Sequence, residues 1–224
     1  MQTIRVGTYN ICHAAYADGD LQKIGKVIRE TGLDICGVQE IEYKTERVGD
    51  INQPALLSEA SGLPFYRFIR AIDYQGGFYG TMLLSRFPIV GFSMMELEST
   101  AEGRAVGHAV LNLGTKNLDF FGTHLAYESA ELRAPQFLQL AGLLKQSRSF
   151  ILTGDFNTEN FTEFEVLPAA DMANKASHKI VTFPGSGEAI DNILISKNMK
   201  FGEIGTVTEA FTDHYMLWAN VTIE

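Results

Sequence analysis

An acid and an amide stand two residues apart where a short apolar run of this sequence ends. The run Phe150–Leu152 predicts a buried strand that stops at Gly154, and Asp155 and Asn157 follow directly. Side chains two positions apart on an extended chain project to the same side, so both would lie at the strand end, where α/β proteins place ligands. This pair suits proton transfer or metal-assisted chemistry, although an Asx turn explains the same residues equally well.

Polar residues stand in the same way at other predicted strand ends. They are Asn10, Gln39-Glu40 and His124, with Thr212-Asp213-His214 placed before the last strand. One more acid, Asp191, lies inside the apolar strand Ile190–Ile195. A charge buried among apolar side chains is costly unless it is paired, so we expect Asp191 to have a partner, for which a histidine is the natural candidate.

The elements that must position these residues follow from the periodicity of the first forty positions. Residues 3–11 alternate and predict a strand, and residues 21–31 show helical spacing between a capping Asp20 and Gly32. The apolar run at 35–38 predicts the next buried strand. This strand–helix–strand order favours parallel neighbours and an α/β fold.

The rest of the chain is mainly β-rich. Helices are predicted at 54–61 and at 129–146, the second with Pro135 in its first turn, and 158–188 is irregular. Further strands are predicted at 64–72, 78–85, 89–97, 104–113, 116–123, 189–196, 201–208 and 217–223. No repeat, low-complexity tract or linker interrupts the chain, so we expect one domain spanning residues 1–224.

Composition limits the classes of protein to which the chain can belong. Of its 224 residues 46% are hydrophobic and 20% are charged, as in ordinary globular proteins. No apolar run approaches the roughly 20 residues of a membrane span. Cys12 and Cys36 are too few for a disulfide framework. We therefore expect a cytoplasmic protein without a transmembrane segment, while the question of a removed leader stays open.

The net charge bears on the partners that the protein can bind. The chain has 18 Lys and Arg residues against 27 Asp and Glu residues, a formal charge of −9. Proteins that bind duplex DNA usually contact its phosphates with Lys and Arg, so this balance disfavours a general nucleic-acid partner. A bound divalent cation can reverse the local field, so a nucleic-acid substrate stays possible.

Taken in order, these motifs resemble the endonuclease/exonuclease/phosphatase superfamily, whose fold is shared with pancreatic deoxyribonuclease. Each motif is weak alone, but six follow in the family's order between residues 3 and 221. They are Thr-Tyr-Asn10-Ile, Gln39-Glu40, Gly122-Thr-His124, Gly154-Asp155-Phe-Asn157, Ile190-Asp191 and Thr212-Asp213-His214. The internal blocks Gly80–Pro88 and Gly103-Arg104-Ala105 also match. The resemblance implies an α/β (α+β) four-layer sandwich, two packed mixed β-sheets flanked by helices, with the active site along one edge.

The resemblance also implies a cofactor and its ligands. Glu40 would be the main ligand of a Mg²⁺ or Mn²⁺ ion, with Asn10 beside it and Asp213 contributing in some family members. Hard divalent cations take oxygen ligands and keep several waters, which suits these side chains.

The remaining family positions would act on water and phosphate. His214, polarised by Asp191, would activate water or hold a phosphoryl oxygen, and Asp155 would orient or deprotonate the water. Which of the two is the base stays open. Hydrogen bonds to the phosphoryl oxygens would come from Asn157 and His124, where fixed donors help most. Arg104 would neutralise phosphate, and Asp73 would pair with His124, as in the branch closest to the deoxyribonuclease.

Simpler explanations stay open for single residues. Glu40 could be a solvated acid at a helix start, Asp191 and His214 a structural buried pair, and Arg104 half of a surface ion pair. Three histidines match no motif, and we expect them to be non-catalytic. They are His13, His108 and His178.

The sequence thus predicts a divalent-metal-dependent phosphoesterase that acts on a phosphodiester or a phosphomonoester. Its loops are short and contain no long basic insertion, which favours a small or lipid-derived phosphate ester over DNA. The alternatives are a Mg²⁺-dependent endonuclease or exonuclease and, from another class, a catalytically silent binding module on the same fold. Silent relatives typically lose metal or base residues, whereas all the expected ones are present here. The oligomeric state stays open.

Overall fold

Two mixed β-sheets of six strands each make up most of the computed structural model, which describes residues 1–224. The strands are β1 (Gln2–Asn10), β2 (Ile35–Tyr43), β3 (Phe65–Tyr74), β4 (Gly77–Ser85), β5 (Ile89–Leu97), β6 (Arg104–Asn112), β7 (Asn117–His124), β8 (Phe150–Asp155), β9 (Asp171–Met172), β10 (Asp191–Ile195), β11 (Met199–Val207) and β12 (Met216–Ile223). The α-helices are α1 (Leu21–Thr31), α2 (Gln53–Ser61) and α3 (Ala130–Leu144). Short 3-10 helices lie at Glu46–Val48, at Phe161–Val166 and at Cys12–Ala17, where His13 and Ala14 have non-helical backbone angles and form a turn.

Each sheet contains one parallel pair of strands among antiparallel ones. The first sheet has the order β11-β12-β1-β2-β4-β3, and the second has the order β5-β6-β7-β8-β10-β9. Strands β1 and β2 are parallel, as the strand–helix–strand order predicts, and β7 and β8 form the parallel pair of the second sheet. The predicted fold class is therefore confirmed.

The two sheets pack face to face over a shared apolar core. This core joins Val6 and Leu83 of the first sheet to Phe120 and Ile151 of the second. Strand β2 comes especially close to β8, because a Cβ on Gly37 would stand 2.1 Å from the Thr153 Oγ1 atom. Any larger side chain would push these strands apart, and they carry two of the acids of the predicted site.

Helices cover the outer faces of the two sheets and complete the four layers. Helix α1 packs on the first sheet and begins and ends where the sequence predicts: the Asp20 side chain accepts a hydrogen bond from Gln22 N at 2.9 Å, and Gly32 has φ 70°. Helix α3 packs on the second sheet. No helix is both long and apolar enough to cross a membrane.

The position of Pro135 differs from the prediction. Helix α3 is capped by Ser129, whose side chain accepts a hydrogen bond from Leu132 N at 3.3 Å, so the helix begins at Ala130. Pro135 therefore lies in its second turn and not in its first. The irregular region predicted at 158–188 does contain two short elements, the 3-10 helix at Phe161–Val166 and the two-residue strand β9.

Candidate active site

One edge of the double sheet collects the ends of strands from both layers. Strand β1 ends at Asn10, β7 at His124 and β8 at Asp155. Strand β10 runs antiparallel to β8 and begins at Asp191, which lies directly opposite Asp155 in the pairing. Strands far apart in the chain therefore deliver amide, imidazole and carboxylate groups to one place.

Glu40 reaches this edge through a β-bulge. Strand β2 continues to Tyr43 instead of ending at Glu40, which corrects the strand end expected from the sequence. The pairing of β2 with β4 shifts between Gln39 and Ile41, and the Glu40 backbone has φ 56°. Bulges re-aim side chains, and this left-handed conformation is uncommon for a residue with a Cβ. The surrounding structure maintains this strained backbone, as is typical of residues at functional sites.

Asn10 joins the acids of the two sheets. Its Nδ2 group donates to Glu40 Oε1 and to Asp155 Oδ2, both at 3.0 Å, and its Oδ1 atom accepts from Cys12 N at 3.1 Å. The amide nitrogen, and not the oxygen, therefore faces the carboxylates. Asn10 therefore positions Glu40 and Asp155, and its place beside the cation stays a prediction.

Asp155 lies at the centre of the site and is fully surrounded. Its Oδ2 atom is 3.5 Å from His124 Nε2 and 3.7 Å from His214 Nε2, and its Oδ1 atom accepts from Asn157 N at 2.9 Å. Burial, reinforced by the Asp191 carboxylate, raises the pKa of Asp155 to about 7, against the opposite effects of His214 and Asn10. A carboxyl group with such a pKa can exchange a proton near neutral pH.

His214 and Asp191 form the buried pair for which the sequence supplies both partners. His214 Nδ1 lies 2.9 Å from Asp191 Oδ2, and the ring packs beside Phe183 at 4.8 Å between centroids. Burial lowers the pKa of His214, but Asp191, with help from Asp155 and Asp213, outweighs burial and raises the pKa to about 10. His214 is therefore an imidazolium at neutral pH, which donates Nδ1–H to Asp191 and presents Nε2–H to Asp155.

These two shifts predict how the metal-free protein responds to pH. The folded state keeps protons on His214 and Asp155 that the unfolded chain releases, so stability is lost as pH rises from about 6.5 to about 10 for the histidine. Protonated Asp155 also stabilises the folded state, and this contribution is lost as pH rises to about 7. We expect Tm in EDTA to fall across this range. In the His214→Gln variant Tm should no longer fall above pH 7. His178 is exposed, so the His178→Gln variant should show the same pH dependence of Tm as the wild type.

His124 is held by Arg104. Arg104 Nη1 lies 3.1 Å from His124 Nδ1, and the arginine is only 3% exposed, which excludes a surface ion pair. Because a guanidinium can only donate, His124 Nδ1 must be the acceptor and its proton must be on Nε2. Burial, with the charges of Arg104 and His214, lowers the pKa of His124 well below its usual value. His124 is therefore a neutral donor whose N–H points toward Asp155.

The pairing predicted between Asp73 and His124 is wrong. Asp73 lies on β3 with 68% of its side chain exposed, and it forms an ion pair with Arg70 at 2.8 Å. The place that it would occupy on the Nδ1 side of His124 is taken by Arg104, which also pairs with Glu102 at 3.0 Å. The start of β6 thus supplies the partner that the sequence comparison assigns to β3.

The last two predicted residues line the same edge. Asn157 has φ 53°, a conformation that asparagine tolerates better than most residues, and its Nδ2 group donates to Leu125 O at 2.9 Å. Asp213 accepts from Thr212 Oγ1 at 3.1 Å, and the same hydroxyl lies 3.1 Å from Asn10 O. The loop before β12 is thereby tied to the end of β1.

A cleft of about 510 Å³ opens above these groups. It is lined by Glu40, Tyr79, Glu102, Arg104, His124, Tyr127, Asp155, Asn157, Phe183, Glu188, Ile190, Asp213 and His214. Sequence reasoning missed the aromatic and acidic walls, namely Tyr79, Glu102, Tyr127, Phe183 and Glu188. Two of them had a signal in the sequence: Tyr79 directly precedes the Gly80–Pro88 block, and Glu102 directly precedes the Gly103-Arg104 block.

The donor set of the cleft suits a hard divalent cation. Glu40 and Asp213 both line the cleft, and burial raises the pKa of Glu40, although the bond from Asn10 opposes this shift. A cation would remove the cost of burying that charge. Asp155, Asp191 and His214 also lie close enough together to hold an ion. His214 Nδ1 is already bound to Asp191, however, and an imidazolium cannot coordinate a metal.

Comparison with known proteins identifies the family of the chain. Residues 7–214 match the family model described as "Endonuclease/Exonuclease/phosphatase family". A sequence search against curated proteins finds no significant match. Eight similar structures are 14–21% identical to the chain, so they show a common fold.

Three of these structures have full coverage of the chain or nearly so. An endonuclease/exonuclease/phosphatase from Beutenbergia cavernae is 21% identical with a TM-score of 0.79, and the match covers 100% of this chain and 72% of that one. A sphingomyelinase C from Streptomyces griseocarneus is 16% identical with a TM-score of 0.71, and the match covers 98% of this chain and 99% of that one. A mannosyl-6-phosphatase from Bacteroides thetaiotaomicron is 18% identical with a TM-score of 0.69, and the match covers 98% of this chain and 100% of that one. The chain belongs to the endonuclease/exonuclease/phosphatase family and, with that family, is a metal-dependent hydrolase of phosphoric ester bonds.

Proposed function

We propose that the protein hydrolyses a small or lipid-derived phosphate ester by in-line attack of water, with Mg²⁺ or Mn²⁺ as cofactor. The main support is the charge of the cleft. Arg104 is the one lysine or arginine among the lining residues, against five acids: Glu40, Glu102, Asp155, Glu188 and Asp213. Such a wall repels a long polyanion, which proteins usually bind through several basic contacts, but it accepts one phosphate beside a cation.

The names of the structural relatives leave the ester bond open. One is a sphingomyelinase and another a mannosyl-6-phosphatase, so the same fold is found in proteins named for different substrates. The walls of the cleft, and not the shared set of polar residues, would then decide which ester is bound.

In this proposal Glu40 and Asp213 hold the cation, and Asn10 keeps the Glu40 carboxylate in position. When bound, the cation polarises the phosphoryl group and neutralises charge that develops on its oxygens. Magnesium keeps several waters and needs only one or two carboxylates, which is what the cleft offers.

The proton-transfer roles follow from the two raised pKa values. Asp155, with a pKa of about 7, orients the attacking water and accepts its proton near neutral pH. His214 stays protonated to about pH 10, so it donates Nε2–H to a phosphoryl oxygen while Asp191 holds the ring. His124 Nε2–H and the Asn157 amide are the further donors. This assignment makes Asp155, and not His214, the base.

A nuclease that acts on single strands is the second candidate. Its support is a pair of aromatic residues that line the cleft: Tyr127 is 64% exposed, and Phe183 packs beside His214. Exposed aromatic rings stack on bases without sequence preference. The scarcity of basic residues in the cleft weighs against this candidate.

Reporter substrates test the proposal. Bis-p-nitrophenyl phosphate and p-nitrophenyl phosphate should be hydrolysed with Mg²⁺ or Mn²⁺ and not in EDTA, and the preferred reporter distinguishes diesters from monoesters. Sphingomyelin vesicles, sugar phosphates, single-stranded DNA and plasmid should then be compared at equal enzyme concentration. Faster cleavage of DNA would favour the nuclease. Absence of turnover on every substrate would contradict the proposal and favour a silent binding module.

Replacing Arg104 separates two roles of that residue. Arg104→Met removes the donor on His124 Nδ1, so the neutral ring can turn its proton to the wrong nitrogen, and we expect kcat to fall roughly 10–100-fold. Arg104→Lys keeps a charge and a donor and should recover part of the loss. If Arg104 only attracts phosphate, KM will rise in Arg104→Met while kcat stays the same.

A further inference from the structure

A second group of possible metal-binding atoms is formed by Glu40 and two residues of the turn that follows β1. Atoms of Cys12 (Sγ), His13 (an imidazole nitrogen) and Glu40 (a carboxylate oxygen) all lie within 4.8 Å of one another. Zinc-type ions bind these three donors at about 2.0–2.3 Å, so two ligands of one ion stand no more than about 4.6 Å apart. Small side-chain movements would therefore bring the three donors onto one ion.

His13 has a nitrogen that nothing else in the structure uses. Its Nδ1 atom is buried and has no hydrogen-bond partner. Buried polar atoms are nearly always paired, so this unpaired nitrogen needs an explanation, and one nitrogen of the same ring lies within 4.8 Å of the thiol and the carboxylate. The mechanism proposed above gives His13 no role.

All three residues have a strained backbone conformation. Cys12, His13 and Glu40 have φ values of 42°, 46° and 56°, in the left-handed region that residues with a Cβ rarely adopt. The turn is held from outside, because Cys12 N donates to Asn10 Oδ1 and Gln53 Nε2 donates to His13 O at 2.8 Å. Strain that the surroundings maintain in this way is typical of functional sites.

The surrounding charge favours a cation. Two more acids, the buried Glu42 and Asp213, lie close enough to act on Cys12. Arg47, a positive charge near His13, is bound to Glu42, with Arg47 Nε 2.6 Å from Glu42 Oε1. The two groups neutralise each other, so Arg47 opposes a cation here only weakly. The positive charges that act on Glu40 itself, His214 and Arg104, line the catalytic cleft.

We propose that Cys12, His13 and Glu40 form a second cation site, which binds a transition-metal ion of the Zn²⁺ or Co²⁺ type beside the catalytic cation. Thiolate and imidazole ligands select such ions, whereas Mg²⁺ takes oxygen ligands. On binding, the Cys12 thiol releases its proton to solvent and its sulfur bonds to the metal. Glu40 has two carboxylate oxygens and can contact both ions.

Titration with Co²⁺, followed by absorption spectroscopy, tests this site. EDTA-treated protein is titrated with Co²⁺ in the presence of excess Mg²⁺. We expect a thiolate-to-cobalt charge-transfer band in the near ultraviolet that saturates at one equivalent. Cys12→Ser should abolish this band, and His13→Asn, chosen because asparagine tolerates a positive φ, should weaken Co²⁺ binding at least tenfold. Cys36→Ser, which changes the only other thiol, should keep the band unchanged.

Two results would overturn the site: no charge-transfer band in the wild-type protein, or an unchanged band in Cys12→Ser. Circular dichroism of each variant shows whether the fold is kept, and the Glu40→Gln variant reports whether the carboxylate takes part. Hydrolysis of the reporters with Mg²⁺ alone is measured in parallel. A failed site would leave that turnover intact, whereas a failed phosphoesterase proposal would abolish turnover and leave the cobalt band.

Discussion

Replacement of Glu40 by glutamine is expected to lower Mg²⁺-dependent turnover by roughly 10³-fold, because the amide keeps the shape of the side chain but loses the charge that holds the cation. The bulge and the contact with Asn10 can survive, since glutamine still offers an oxygen to Asn10 Nδ2. The loss should therefore be one of metal affinity and not of folding. Calorimetric titration with Mg²⁺ and Mn²⁺, together with kcat/KM on the preferred reporter, measures both effects.

The matched control is another acid of the same cleft. Glu188→Gln removes an equal charge from the lining without touching the Asn10 network, and Glu188 instead contacts Ser186 at the rim. We expect a much smaller loss of turnover and unchanged metal affinity. Equal losses in both variants would mean that the overall charge of the cleft, and not ligation by Glu40, determines metal dependence.

His214→Gln is expected to lower kcat by about 10³–10⁴-fold with little change in KM, comparable with the loss of a buried catalytic dyad elsewhere. The imidazolium is the one cationic donor that faces Asp155 Oδ2, and it would stabilise charge that is present only in the transition state. Glutamine can still donate to Asp191, so the buried carboxylate keeps a partner. A His214→Ala variant would leave the buried Asp191 carboxylate without a partner and would destabilise the fold, so a loss of activity could not be separated from a loss of stability.

Asp155→Asn separates the base from the donor. It should reduce turnover as strongly as His214→Gln and should also remove the rise of activity with pH that a base with a raised pKa produces. Single-turnover rates between pH 5 and 10 measure this in all three proteins. Near-normal turnover in either variant would show that its assigned role is wrong.

Local sequence determined the elements and the chemical types at their ends. The strand–helix–strand order with parallel strands, the bounds of α1 and its caps at Asp20 and Gly32 all agree with the structure. Helix periodicity, strand alternation and capping depend on residues within a few positions of one another, so they can be read from the chain alone. For the same reason the sequence alone indicates the polar residues at the strand ends.

The tertiary structure decided which of those side chains meet. Asp155 faces Asp191 because β8 pairs with β10 in one register, and Arg104 displaces Asp73 from His124 because β6, and not β3, begins beside the end of β7. The bulge at Glu40 depends on the pairing of β2 with β4. These contacts join residues far apart in sequence, and shifting a pairing by one residue turns every side chain to the other face. The sequence alone therefore determined the groups available for catalysis, and the packing of the two sheets determined their partners, protonation and direction.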